Sequence, residues 1–256
     1  MIKRRDLFVL FFFPIFFSVL SILIHANFLS MILIFFGTLA IYLSLKREKD
    51  IDKAIIFAAS LLPLMIIIDY LTSFNGAWTV APSITNVRIL GISRVENILW
   101  GFLRIYSVVL FYEWLINKKE KFVRNKMKYA SIISLCIFII FLITLNLNPL
   151  LFKLKNTYTL VGSVFGIIPF GFFLLFRKNK IQNLIFPAGY FFYFCIFFEF
   201  TGLYLNNWLF AGKDYLLVFR LSGFALPIEE LIWLALGSSI ILIYYIFFRE
   251  EIKKLK

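Results

Sequence analysis

Residues 219–233 read FRLSGFALPIEELIW and stand at the start of the last long apolar run of the chain. Pro227, Glu229 and Glu230 fall where that run begins. Proline suits the first turn of a helix because its missing N–H is not needed there, and carboxylates favour the positive end of the helix dipole. An ionisable group at membrane depth is costly and indicates a functional site. The stretch therefore predicts a membrane helix from residue 227 with a candidate site at its mouth.

A similar stretch occurs earlier, where residues 87–100 read VRILGISRVENILW. With one gap, the matched pairs are Arg88 with Arg220, Gly91 with Gly223, Glu96 with Glu229 and Trp100 with Trp233. Upstream, three pairs match at one constant offset: Ile51 with Ile181, Asp69 with Glu199 and Trp78 with Trp208. Matches in the same order at nearly constant spacing indicate a tandem duplication. The predicted units are residues 1–120, with the altered motif SRVEN, and residues 121–256, with the intact motif PIEE.

Composition is that of a membrane protein. Of the 256 residues, 62% are hydrophobic and 20% aromatic, with a mean hydropathy of +0.91, whereas soluble domains are about half apolar and a quarter charged. Apolar runs of about 17–25 residues can cross a bilayer. The sequence therefore predicts an all-α polytopic membrane protein with about eight transmembrane helices in two tandem four-helix repeats. The predicted spans are residues 7–24, 28–45, 54–71, 95–116, 129–145, 158–176, 181–205 and 227–248.

The net charge of +13 is distributed as membrane topology requires. Segments on the side of the N-terminus hold 20 of the 27 lysines and arginines, and the opposite loops hold 6. The positive-inside rule then predicts a multi-pass protein of the cell membrane with both termini in the cytoplasm. No loop combines enough basic and aromatic residues to form a nucleic-acid platform, so nucleic acid is not an expected partner.

Cofactor and metal motifs are not evident in the sequence. Cys136 and Cys195 both lie in apolar runs and are interpreted as small buried hydrophobic residues. Nothing indicates a disulfide framework, a metal site or a nucleotide loop. We therefore expect no cofactor and no metal.

The fourth span of each unit combines an acid with an indole one turn deeper. Glu96 and Trp100 are four residues apart, as are Glu229 and Trp233, so each pair shares a helix face. An acid can donate a proton, and an aromatic face stabilises a positive charge, which is typical of carbocation chemistry. The third span of each unit and the loop after it add four candidates: Asp69, Trp78, Glu199 and Trp208.

Three arginines lie near these acids. Arg104 falls inside the fourth span, and an intramembrane arginine needs a partner, for which Glu96 and Asp69 are the candidates. Arg88 and Arg220 precede the two motifs at matching places. They either anchor the loops to lipid phosphate or pair with the site carboxylates, and the sequence does not choose between these roles.

The combined pattern resembles the membrane-integral lycopene cyclases, which occur in some bacteria as two small subunits and in some archaea as one fused chain. The resemblance rests on an acid-ended span, a loop with tryptophan, R-x-x-G, and P-x-E-E at the head of the next span. It covers residues 28–115 and 157–248. Pro227, Glu229 and Glu230 carry the motif intact, whereas the earlier copy has Arg94 at the proline position and Asn97 at the second acid.

The resemblance implies a redox-neutral isomerisation of an acyclic carotenoid end. A proton adds to the terminal double bond, the neighbouring alkene attacks the tertiary cation, and a ring proton is lost. This chemistry requires a carboxylic acid that stays protonated near neutral pH, which burial favours. The resemblance implies Glu229 as the acid, with Glu230 or Glu199 assisting it, and Glu96 and Asp69 contributing to a shared site toward the outer leaflet. The implied substrate contacts are Trp233, Trp100, Trp78, Trp208 and Pro227.

Other functions stay open. Water capture of the same cation would make the protein a carotenoid 1,2-hydratase, and a decayed site would leave a carotenoid-binding accessory protein. Transport is disfavoured because the acids cluster at one membrane face and not at the midplane. The expected partners are a lipophilic polyene and the lipid bilayer. Whether the chain forms a homo-oligomer or a complex with other carotenoid enzymes is also open.

Overall fold

The computed structural model describes residues 4–81, 83–116, 121–122, 124–177, 180–221, 223–247 and 249–250. Helices dominate these residues: α1 Arg4–Leu23, α2 Phe28–Ile32, α3 Thr38–Lys46, α4 Ile51–Phe74, α5 Val95–Ile116, α6 Arg124–Leu147, α7 Thr157–Gly162, α8 Ile168–Arg177, α9 Gln182–Tyr204 and α10 Ile228–Phe247.

Apolar length makes the chain an integral membrane protein. Within the described residues, seven helices are long and apolar enough to cross a membrane: Arg4–Leu23, Phe28–Lys46, Glu48–Phe74, Val95–Ile116, Thr157–Phe176, Gln182–Tyr204 and Ile228–Phe247. They coincide with seven of the predicted spans. The remaining predicted span, residues 129–145, falls in α6, whose apolar part Ser131–Leu147 is shorter than the others.

Two of the long helices contain a wider, π-helical turn. Leu33–Gly37 joins α2 to α3, and Ser163–Ile167 joins α7 to α8, so that each pair runs as one continuous rod. Such turns frequently accompany functional sites because the extra residue re-aims nearby side chains.

Short antiparallel strand pairs lie in the connections between helices. β1 (Thr79–Val80) pairs with β5 (Trp208–Leu209), with Thr79 opposite Leu209. β2 (Arg88–Ile89) and β3 (Ser93–Arg94) form a hairpin before α5, and β6 (Val218–Leu221) and β7 (Phe224–Pro227) form one before α10. β4 (Lys121–Phe122), which follows α5, pairs with β8 (Arg249–Glu250), which follows α10.

The helix predicted to begin at residue 227 begins one residue later. Pro227 ends β7 opposite Val218, and the Ile228 N–H donates to the Leu217 carbonyl (2.9 Å), so the hairpin extends to the start of α10. The β6–β7 turn contains Gly223 at φ +88°, a backbone conformation that favours glycine.

The helices pack around α5 and α10. α5 contacts α3, α4, α9 and α10, while α1 packs on α9 and α6 on α4. Fully buried aromatic side chains fill much of the interior, including Phe35, Phe36, Phe57, Phe111, Phe191 and Phe194. Many of these rings meet edge to face, the geometry that the ring quadrupole prefers.

A buried ion cluster holds the end of the bundle at which α3, α5 and α10 end. Asp50 accepts hydrogen bonds from Arg47 and from Lys53, the latter at 2.6 Å. Arg47 also lies 4.0 Å from Glu113, to which the Tyr245 hydroxyl donates. The candidate acids lie at the opposite end, where the hairpins cover the helices.

Candidate active site

A cavity of about 190 Å³ lies between α4, α5, α10 and the continuous α7–α8 helix. Most of its wall is aliphatic or aromatic, as a site for a lipophilic ligand requires. Its polar lining includes Asp69, Asn97, Arg104, Tyr158 and Glu230, and the tryptophans in the wall are Trp78, Trp100 and Trp233. The structure therefore brings five of the ten predicted site residues to one cavity.

Glu230 is one of the two acids in the wall of this cavity. Its side chain is buried, with 7% of the residue exposed, and its Oε2 accepts a hydrogen bond from the Tyr158 hydroxyl. Glu230 also lines a second cavity of about 40 Å³, together with Glu199 and Trp208. Glu230 therefore lies in the first turn of α10 and in the walls of both cavities.

Asp69 supplies a second carboxylate to the larger cavity. The residue is 5% exposed near the C-terminal end of α4, and its Oδ1 accepts a 2.7 Å hydrogen bond from Asn97 Nδ2. Asn97 occupies the position at which the intact motif has its second acid. Its amide fixes the orientation of Asp69 but cannot donate an acid proton to a substrate.

The two tryptophans of the Glu–Trp pairs differ in their surroundings. The Arg104 guanidinium lies 5.3 Å from the centre of the Trp100 ring, so that face of the indole is already occupied by a cation. Trp233 lines the cavity without such a contact in the described residues. Trp233 is therefore the better placed of the two to stabilise a carbocation.

Arg104 does not pair with either predicted partner. Its Nη2 lies 3.5 Å from the Trp233 carbonyl oxygen, while Asp69 is bonded to Asn97, and Glu96 accepts a 2.6 Å hydrogen bond from Thr85 Oγ1. Arg104 fits against Gly237, where an added Cβ would come within 2.5 Å of Nη2. The missing side chain at Gly237 thus makes room for an arginine that crosses between α5 and α10.

The remaining acids lie outside the larger cavity. Glu96 is fully buried against the loop that carries Thr85. Glu229 accepts hydrogen bonds from Thr159 Oγ1 (2.7 Å) and the Leu216 N–H (2.8 Å) and lines a separate cavity of about 60 Å³. Glu199 accepts a 2.7 Å hydrogen bond from Trp208 Nε1. Pro227 lies at the end of β7 and lines none of these three cavities.

In the cavity wall, Trp100 and Trp233 are each paired with the polar residue three positions before them, not with the glutamate four positions before them. Asn97 and Trp100 share its wall, as do Glu230 and Trp233, whereas Glu229 points elsewhere. Both spacings place residues on one helix face, so the sequence could not choose between Glu229 and Glu230. The sequence does not predict Tyr158 as a site residue, because only its position near the start of an apolar span distinguishes it.

Loop contacts close the region above the cavity. The Tyr215 hydroxyl donates to the Ala77 carbonyl and accepts from the Gly212 N–H at 3.0 Å. Burial raises the pKa of Tyr215, so it stays a neutral donor at this position. Arg88 donates to the Ile92 carbonyl (2.8 Å) within its own hairpin, and both Arg88 and Arg220 are exposed.

Comparisons with known proteins give no relative for this arrangement. No protein-family model matches the chain, and neither curated proteins nor solved structures give a match. Across the part of the chain that the structure describes, no three or more His, Cys, Asp or Glu side chains are grouped as metal ligands.

Proposed function

We propose that this protein is a carotenoid-modifying membrane enzyme that protonates the terminal double bond of an acyclic polyene such as lycopene and cyclises that end. One observation carries the proposal: Glu230, a buried carboxylic acid that accepts a hydrogen bond from Tyr158, faces an apolar cavity between membrane helices. Burial favours the neutral form of a carboxylic acid, which is the form that can donate a proton.

The size of the cavity fits one end of the substrate. A cavity of about 150 Å³ lined by aliphatic and aromatic side chains binds benzene, and this one measures about 190 Å³. One six-membered end group with its methyl groups fits that volume, whereas a whole C40 chain does not. The conjugated remainder of the polyene would extend into the lipid.

The reaction is a proton-neutral isomerisation. Glu230 gives a proton to the terminal double bond, and the neighbouring alkene attacks the resulting tertiary cation to close the ring. The ring then loses a proton to the Asp69 carboxylate, and exchange of protons with solvent returns Glu230 to its acid form and Asp69 to its carboxylate. The face of Trp233 stabilises the cation. The proposed acid is Glu230 and not Glu229, because Glu230 lines the cavity and Glu229 does not.

The proposal includes a duplicated fold with eight crossings, α6 among them. The two π-helical turns occupy corresponding places, and Thr79 pairs with Leu209, the residue 130 positions later. Antiparallel pairing between corresponding strands is what a two-fold axis between units would produce. Four crossings per unit give both units the same orientation, and the lysine and arginine distribution then places both termini in the cytoplasm.

Hydration of the cation is a second candidate. Three donors beside the cavity have no hydrogen-bond partner among the described residues: Trp100 Nε1, Arg104 Nε and Trp233 Nε1. Donors of this kind hold water, and a water next to the cation would capture it before the ring closes, giving a tertiary alcohol.

Expression in a bacterium that accumulates lycopene tests the proposal. Chromatography of the pigments should give a cyclic carotene with the wild type and with Glu229→Gln, because Glu229 lies outside the cavity. Glu230→Gln should lower conversion by at least about 100-fold, since it removes the acid. A hydroxylated acyclic product would show that the protein hydrates the cation and does not cyclise it. Unchanged lycopene, with the wild-type protein present in the membrane, would contradict both.

A further inference from the structure

We propose that the fold contains a second end-group site, related to the open cavity by the two-fold axis and closed by phenylalanine side chains, so that the chain takes one polyene end at a time. This inference rests on the proposed function and on the duplication. In this inference, the residues around Glu199 form the second site, and they correspond to the residues around Asp69 in the open cavity.

The polar ends of the two sites correspond. Trp208 donates to Glu199. The residues at the equivalent positions, Trp78 and Asp69, both line the open cavity, where the Trp78 indole donates to Ser73. The edge-to-face contacts also correspond, because Tyr158 packs on Trp78 at 5.8 Å and its counterpart Phe28 packs on Trp208 at 5.4 Å. Each contact joins one unit to the other, as a two-fold relationship requires.

The apolar parts of the two sites differ in volume. The open cavity measures about 190 Å³ and the one around Glu199 about 40 Å³. The position of Gly166, in the π-helical turn beside the open cavity, corresponds to Phe36, which is fully buried. Leu64 and Ile68, in the wall of the open cavity, likewise correspond to Phe194 and Phe198.

The phenylalanines pack on one another where a ligand would lie. Phe36 meets Phe194 at 5.2 Å and Phe198 at 5.1 Å, both edge to face, and Phe198 stacks on Trp100 at 6.3 Å. Close-packed side chains of this kind leave no volume for a ring-sized group without being displaced. The second site is therefore occupied by the protein itself.

The closed site also lacks a hydroxyl group that the open one has. Tyr158, which donates to the Glu230 carboxyl, corresponds to Phe28, which has no hydroxyl. With one usable site, a polyene with two identical ends must leave and re-enter in the reverse direction before its second end reacts. The one-ended product is then an obligatory free intermediate.

Exchange of the corresponding residues tests the inference. Lycopene serves as the probe, and Glu230→Gln protein, which does not turn it over, is purified from lycopene-accumulating cells with the bound pigment quantified by absorbance. We expect one lycopene per chain. Adding Gly166→Phe should abolish retention, and its Cβ meets only the flexible tip of Ile240. Adding Phe36→Gly with Phe198→Ile should raise the ratio to two.

Controls separate this inference from the proposed function. Gel filtration identifies any variant that fails to fold, and Phe36→Leu is a milder opening that should give an intermediate ratio. Two lycopenes per chain in the parent protein, or full retention with folded Gly166→Phe, would overturn the inference. Suppose that one lycopene binds per chain, that Gly166→Phe abolishes this binding, and that the wild type does not convert lycopene. That result would support the single binding site and reject the proposed cyclase activity. No retained lycopene in any variant would contradict both.

Discussion

Adjacent glutamates at the start of α10 have different surroundings although they are chemically identical. Successive residues on a helix are rotated by about 100°, so Glu230 faces the cavity while Glu229 holds the loop through Leu216 and Thr159. The sequence identified the acids and tryptophans at one end of the spans. It could not fix the rotation of the helix, and this decides which acid meets a substrate.

The Tyr158 hydroxyl orients the Glu230 carboxyl, and we predict that Tyr158→Phe slows conversion about 10-fold. Loss of one hydrogen bond to the reacting acid is worth about 1–1.5 kcal/mol, close to one power of ten in rate. Initial rates of product formation in isolated membranes measure the effect. Tyr193→Phe, which removes an exposed hydroxyl distant from the cavity, is the control. Equal rates for both variants would remove Tyr158 from the mechanism.

Arg104 has contacts that the sequence does not predict. An intramembrane arginine predicts an acid partner, but in the described structure it contacts the Trp100 ring and the Trp233 carbonyl. The space beside it depends on Gly237 in another helix. A contact between helices distant in sequence leaves no local pattern to read.

The helices themselves were predictable because apolar runs of sufficient length leave few alternatives in a membrane. The two π-helical turns and the two-residue strands were not, since neither has a periodicity long enough to detect. These elements matter for the site, because the Ser163–Ile167 turn places Phe165 in the cavity wall.

The junction of α3 and α4 depends on the ion cluster around Asp50. We predict that Asp50→Asn lowers the free energy of unfolding by about 3–5 kcal/mol, because it leaves the buried Arg47 without its main counter-charge. Thermal unfolding in detergent measures the change. Asp52→Asn removes an exposed carboxylate two residues away and should leave the midpoint nearly unchanged. A similar small shift in both variants would refute the role of the cluster.

At the scale of the whole molecule, the charge asymmetry predicts the orientation of the bundle. Lys49 and Lys155 are both exposed, in connections assigned to opposite sides. In a background lacking Cys136 and Cys195, Lys155→Cys should react with a membrane-impermeant maleimide added to whole cells. Lys49→Cys should react only after lysis. Labelling of Lys49→Cys in intact cells would show that the topology is the opposite of the one proposed.

The sequence predicts a duplication because candidate site residues recur in order, but it does not predict that the two cavities differ in volume. Phe36 against Gly166 is an ordinary difference between two apolar spans. The packing of Phe36 on Phe194 and Phe198 shows that this difference changes the volume available between the helices.

Solvent deuterium incorporation tests proton-initiated cyclisation most directly. Membranes that contain the protein are incubated with lycopene in deuterium oxide, and the masses of the products are measured by mass spectrometry. The account predicts one deuterium for each ring formed, because each ring takes one proton from a solvent-exchangeable acid and loses one from carbon. A cyclic product without deuterium would contradict protonation by Glu230 or any other exchangeable acid.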